Sequence, residues 1–169
     1  MKIYVREIDD FSFLIQRAAE ITSGKPIRDN RVPGLVSDIL EAEHSPARLM
    51  MYWVEAIDVP NRAVMHVVRH KIGCEWFIST SRPDRTSRDG KLRDFGLLAS
   101  HQSLVNLARK RLCSKAWHET IDLVQAIKDA IPERTSKYMV PECHYRGGVC
   151  HEPKSCGLCA RMQDIGRRK

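Results

Sequence analysis

The sequence predicts an α/β (α+β) fold, one domain in which a sheet is flanked by helices. Two observations carry this. Strand-like stretches at 2–8, 49–57 and 74–79 are separated by stretches whose apolar residues recur at helical spacing. The chain of 169 residues has no internal repeat and no low-complexity segment, and its length suits one core.

In order, Lys2 to Ile8 alternates as a strand does. Phe11 to Ile21 carries Phe11, Leu14, Ile15, Ala18 and Ala19 at helical spacing behind a capping Asp10, and Ser23-Gly24-Lys25-Pro26 ends it. Residues 25 to 34, with two prolines and many charges, read as a loop before a short helix from Val36 to Ala42. Leu49 to Ile57 is almost continuously apolar with Glu55 as its one charge, which predicts a central strand covered on both faces. Pro60 opens a helix whose buried stripe is Val64, Val67 and Val68, with His66, Arg69 and His70 on the other side and Gly73 as its stop. Cys74 to Ser79 is a short strand, and residues 83 to 96, with Pro83, Gly90, Gly96 and seven charges, read as a loop. Leu98 to Leu112 predicts a helix with Leu104, Leu107, Ala108 and Leu112 inward. A last helix runs from Lys115 to Ile131 on the stripe Trp117, Ile121, Val124, Ile127 and Ile131, and Pro132 stops it.

Around Val64 to Arg85 a helix end and a strand end deliver cations, imidazoles and hydroxyls to one place. Arg69, His70, Lys71, Ser79, Thr80, Ser81, Arg82 and Arg85 form an inventory that suits an anionic ligand such as a phosphate. On the helix from 98 to 112, Arg111 borders the apolar face, where an unpaired charge is costly. It is read either as half of a structural ion pair or as a cation held for a ligand.

These residues carry a resemblance. Arg69-His70-Lys71, seven residues, then Ser79 resembles the Arg-His-Arg, seven residues, Ser signature of the flavin-dependent thymidylate synthases. His44-Ser45-Pro46 before an apolar strand, and Asn106 followed five residues later by Arg111, extend it over residues 36 to 131. The resemblance implies an antiparallel-rich twisted sheet flanked by helices, and a homotetramer with active sites between subunits. It implies reductive methylation of deoxyuridylate (dUMP) to dTMP. Methylenetetrahydrofolate would give the carbon, and FAD would carry reducing equivalents from NADPH. By the same match, Ser45, Arg69, His70, Lys71, Ser100, His101, Gln102 and Asn106 hold flavin. His66, Arg69, Ser79, Ser81, Arg82, Arg85 and Arg111 meet the nucleotide. Arg111 is the catalytic cation, lying against the pyrimidine and helping to ionise its ring nitrogen.

The chain departs from the signature in three places. Lys71 stands where the family has Arg, keeping the charge but losing the bidentate fork. Ser79 is followed by Thr80-Ser81-Arg82, where the family has a small residue, Arg and Tyr; the matching Arg is Arg82 by a slip of one residue, or Arg85. The Ile-Val-Leu-Pro-like stretch behind a phosphate-binding Arg is not recognisable, which leaves that role to Arg85 or Arg88, or to none. A related flavin- and folate-dependent methylase or hydroxymethylase acting on dUMP, UMP or dCMP is the alternative these departures keep open.

The bulk numbers bound the other classes. A net charge of +7 admits nucleic acid, anionic lipid or small anions, but the basic residues are dispersed and no RNA-binding or helix-turn-helix motif stands out. Nucleotide-sized ligands are the better use of that charge. No run is long enough to cross a membrane, and the opening MKIYVREIDD reads as a strand, so the expected location is cytoplasmic. No Pro-Cys-His motif offers the nucleophile of flavin-free synthases.

Of the six cysteines, Cys74 and Cys113 fall inside predicted elements as buried thiols. The other four, Cys143, Cys150, Cys156 and Cys159, crowd the tail 141–169 that follows the domain 1–140. They read as a structural zinc site, as free thiols packed at an interface, or as redox groups. A zinc-containing nucleic-acid-binding module is the reading from a different class.

Overall fold

The computed structural model describes residues 1–8, 10–80, 82, 84 and 90–157. Four strands form one antiparallel sheet in the order β1-β2-β4-β3: β1 Lys2–Glu7, β2 Met51–Pro60, β3 Cys74–Ile78 and β4 Leu92–Ser100. The antiparallel α/β architecture is the one expected. Seven helices and one 3-10 turn are described: α1 Ser12–Thr22, α2 Leu35–Glu41, the 3-10 turn Ser45–Leu49, α3 Asn61–Val67, α4 His101–Arg111, α5 His118–Ala130, α6 Glu133–Ser136 and α7 Glu142–Tyr145.

Pairing fixes which side chains share a face. Val54 stands between Val5 and Leu97, Tyr52 faces Ala99, and Trp76 lies beside Leu97. This inner face carries Tyr52, Val54, Ala56, Phe95, Leu97 and Ala99, all buried. Helices α3, α4 and α5 pack on it through Val64, Val67, Leu104, Leu107, Leu123 and Ile127 in one continuous core. Tyr52 keeps its hydroxyl satisfied inside that core by a 2.7 Å hydrogen bond with the Thr135 hydroxyl.

Several expectations are corrected. Residues 92–100 are strand, not loop and helix start, because their alternating apolar residues pair with both β2 and β3; α4 therefore begins at His101, with the Ser100 hydroxyl accepting from Ser103 N–H as its cap. β2 is central but covered on one face only within a single chain: Trp53 is half-buried and Glu55 exposed. The α1 stripe is rotated. Leu14 is exposed while Gln16 and Glu20 are buried, because their side chains hold the 25–34 loop at Asn30, Arg28 and Val32. Trp117 lies on the surface outside α5 with Arg62 stacked on its ring at 4.1 Å. Cys113 is half-buried, not a core thiol. No described helix is long and apolar enough to cross a membrane.

Candidate active site

The signature sits where α3 ends and turns into β3. The turn requires Gly73, whose φ of 68° is left-handed, and a Cβ there would come within 2.3 Å of the Ser103 hydroxyl. Ser103 donates to the carbonyls of Ile72 (3.0 Å) and Gly73 (2.8 Å), tying the turn to the first turn of α4. Trp76 Nε1 donates to the His70 carbonyl at 2.7 Å from β3. The backbone of the signature is thus clamped from both sides.

Arg111, at the end of α4, reaches back to this turn. Its Nε donates to His70 Nε2 at 3.1 Å and its Nη2 to the His66 carbonyl at 2.9 Å. Burial first, then Arg111 and Lys110, push the His70 pKa below its ordinary value, so the ring is the neutral acceptor that this bond needs. Burial and the nearby Arg69 work against the charge of Arg111. Among the described residues both of its hydrogen-bond partners are neutral, so no carboxylate cancels it. Among the described residues, then, Arg111 is not half of an ion pair. His66 itself turns to α5: its Nδ1 shares a 3.1 Å hydrogen bond with the Thr120 hydroxyl, and its ring meets Trp117 edge-on.

A second group forms on another face of α4, since Asn106 and Arg111 lie about 140° apart around a helix. Gln102, Asn106, Ser100 and Ser103 line a cleft of about 430 Å³ with Gly73 and Arg48. Gln102 Nε2 donates to Glu43 at 2.7 Å and to Asn106 Oδ1 at 3.4 Å. Arg109 pairs with the same Glu43 carboxylate. Burial opposes the Glu43 charge, but Arg109 and Gln102 outweigh it and hold the carboxyl below the usual range. Glu43, Arg48 and Arg109 were not singled out from sequence, and only their proximity in the fold reveals them.

The remaining expected residues fall as follows. Arg69 and Lys71 are exposed cations at the turn, and Lys71 borders a groove with Glu75 and Trp76. Ser45 is exposed in the 3-10 turn beside α4. Ser79 extends the sheet: its N–H donates to the Asp94 carbonyl (2.9 Å) and its hydroxyl accepts from Asp94 N–H (3.0 Å). Arg82 is exposed; Ser81, Arg85 and Arg88 lie outside the described residues. His101, expected against the flavin, faces inward in the single chain. It is fully buried, with Nδ1 at 2.9 Å from the Thr135 hydroxyl and its ring edge-on to Tyr138, because as the first residue of α4 it turns into the core. Burial pushes its pKa down to about 4. Cys143, Cys150 and Cys156 stand in the tail region and Cys159 lies outside the described residues. As the side chains stand, no group of three or more described His, Cys, Asp and Glu could hold a metal ion.

Thymidylate synthase X from Helicobacter pylori, in a structure with FAD and dUMP, superposes with a TM-score of 0.65 at 14% identity, covering 85% of this chain and 99% of that one. A second structure of the flavin-dependent synthase from the same organism, also with FAD and dUMP, gives 0.62 at 12% identity over 82% of this chain and 98% of that one. The UMP/dUMP methylase PolB from Streptomyces cacaoi, bound with 5-Br dUMP, gives 0.55 at 12% identity, covering 81% and 94%. No protein-family model and no curated protein matches the chain. The likeness is one of fold: this chain folds as the flavin-dependent thymidylate synthases do.

Proposed function

We propose that the chain is an FAD-dependent nucleotide methylase that converts dUMP to dTMP, with methylenetetrahydrofolate as carbon donor and NADPH as reductant. The observation that carries this reading is Arg111, a half-buried guanidinium fixed by the signature turn through neutral partners only. A cation so placed is free to stabilise negative charge developing on a pyrimidine ring. His70, kept neutral, aims it. Arg69 and Lys71, exposed on the same turn, would take phosphate groups. Ser79 has its hydroxyl oxygen engaged by Asp94 N–H, which leaves its proton to donate to a ligand.

The cleft of Gln102, Asn106 and Arg48 fits a flavin: two carboxamides offer hydrogen bonds to a polar ring edge, and a guanidinium offers charge to a phosphate. Bound there, FAD would supply the hydride chemistry. The Arg111 group and the Gln102 group face different sides of α4, so a site made of both is completed by residues of another copy. This supports a homotetramer with shared active sites. The likeness to a UMP/dUMP methylase and the Lys71 departure keep UMP, dCMP and hydroxymethyl transfer as the second reading.

The test is an absorbance spectrum of the purified protein, repeated after adding FAD and then dUMP. A flavin band that moves with dUMP supports the paired site, and mass spectrometry of products from dUMP, UMP and dCMP then names the substrate. Folded protein that takes up no FAD in excess overturns the reading, and a salt-dependent gel shift with DNA or RNA would favour the binding-module alternative instead.

A further inference from the structure

Gln102 and Asn106 line the cleft one helical turn apart, and an ion pair stands behind them. The two ends of a carboxamide have nearly the same shape, so packing alone does not say which end faces a ligand. The ion pair does. A carboxylate only accepts hydrogen bonds and a guanidinium only donates them. Glu43 Oε2 therefore takes the amide nitrogen of Gln102, at 2.7 Å, and Arg109 Nη1 donates to the amide oxygen of Asn106, at 3.4 Å. Gln102 Nε2 also donates to that oxygen at 3.4 Å, so the three contacts agree on the orientation of both groups. Among the described residues no hydrogen bond engages Gln102 Oε1 or Asn106 Nδ2, which leaves one acceptor and one donor for a ligand.

We infer that Glu43 and Arg109 are the positioning residues of this cleft: they fix Gln102 as an acceptor and Asn106 as a donor, so that the cleft selects a ligand edge with an N–H beside a carbonyl. The pyrimidine edge of a flavin has that pattern, and the inference rests on the reading that the cleft takes the flavin. Two further observations fit it. Glu43 has a left-handed backbone, with φ of 53°, which a residue with a side chain adopts at a cost. Such strain is found where a side chain must be aimed. Arg109 is shielded as well as paired: its side chain is 12% exposed, and its guanidinium carbon lies 3.5 Å from the centre of the Tyr145 ring. Tyr145 belongs to α7, so the segment that follows the core domain reaches the cleft through this ring, which holds Arg109 against Glu43 and Asn106.

The test compares FAD with its N3-methyl analogue, which lacks the edge N–H, in fluorescence titrations of the full chain. The wild type should prefer FAD by about 10-fold, the value of one well-placed hydrogen bond. Glu43→Gln, which can turn its own amide either way and releases Gln102, should bring that ratio close to one. The methyl group is common to all measurements, so a change in the ratio isolates the bond. Tyr145→Ala should lower the ratio and Tyr145→Phe restore it, because the ring is what covers Arg109. A second reading needs no ligand. The side-chain NH2 signals of Gln102, identified by their loss in Gln102→Leu, should lie downfield and exchange slowly in the wild type, and return to ordinary amide positions in Glu43→Gln. An unchanged ratio in Glu43→Gln, with both ligands weakened alike, overturns the inference, as do ordinary Gln102 signals in the wild type. Folded wild type that takes up no FAD ends the flavin reading, and the ligand-free signals then decide this inference by themselves.

Discussion

Arg111 donates to His70 and to the His66 carbonyl from two nitrogens of one rigid fork, and Lys at 111 would keep the charge but lose that fork. Arg111→Lys is therefore expected to weaken dUMP binding by about 10- to 100-fold, the value of a charge-assisted hydrogen bond of roughly 1.5–3 kcal/mol. FAD binding should survive, because Gln102 and Asn106 lie on another face of α4. Titrating the flavin-loaded protein with dUMP reads both effects, and equal loss of FAD affinity would contradict the separation. His101 makes the opposite case. Its folded pKa of about 4 lies below the ordinary 6.5, so the unfolded chain binds more protons between those values. Its contribution to stability is complete above pH 6.5 and lost as pH falls toward 4, by about 3 kcal/mol at most. Denaturation midpoints from pH 7 to 4 should fall more steeply for the wild type than for His101→Gln; parallel curves would refute the assignment. At this scale the signature and Arg111 were legible because spacing along the chain encodes them. His101 was not, because nothing in Ser100-His101-Gln102 says that a helix start turns its first side chain into the core while its neighbour Gln102 lines a cleft.

The turn between α3 and β3 and the first turn of α4 act as one piece, since Ser103 binds two carbonyls of the turn and Gly73 leaves room for it. Gly73→Ala adds a Cβ into the Ser103 hydroxyl and forces a left-handed backbone on a residue that avoids it. The expected cost is about 1–3 kcal/mol. It should be read as a lower denaturation midpoint together with weakened dUMP binding, because the same turn carries His70. Ser103→Ala/Gly73→Ala, which removes the obstructing hydroxyl, should recover part of the loss. Helices α1 to α5 and the first three strands were visible as periodic or continuous apolar stretches, whereas α6 and α7, of 4 residues each, are too short to show a period. β4 was not: Gly90, Gly96 and the charges at Lys91, Arg93 and Asp94 imitate a loop. Asp94 is there to hold the bulge at Asp58, where the β2–β4 register shifts, by accepting from Asp58 N–H at 2.9 Å. Gly96 is there because a Cβ would meet the Trp53 ring at 2.5 Å. Each departure from strand composition answers a cross-strand neighbour that a one-dimensional pattern does not contain.

At the scale of the molecule, the outer face of the sheet is the feature that one chain leaves unfinished. Trp53 lies across Gly96 with its ring 5.6 Å from that of Phe77, and Tyr4 and Leu98 share the face through the same pairing. Phe77 is 59% and Tyr4 57% exposed. A broad aromatic face on a central sheet is where self-association is expected. The near-continuous apolar run of β2, which predicted cover on both sides, makes sense if a second copy provides the outer cover. The proposed active site has the same requirement, with its cationic and carboxamide halves on different sides of α4. If both requirements are met by one assembly, a charge on the outer face should undo both. Phe77→Asp leaves the inner core untouched, since Phe77 points away from Leu97 and Ala99. Light scattering should show the mass of the wild-type oligomer falling to a smaller species in the variant, with FAD retention lost in step and circular dichroism unchanged. An oligomer that persists in the variant would remove this face from the interface, and a monomer that still binds FAD and responds to dUMP would show that one chain holds the site alone.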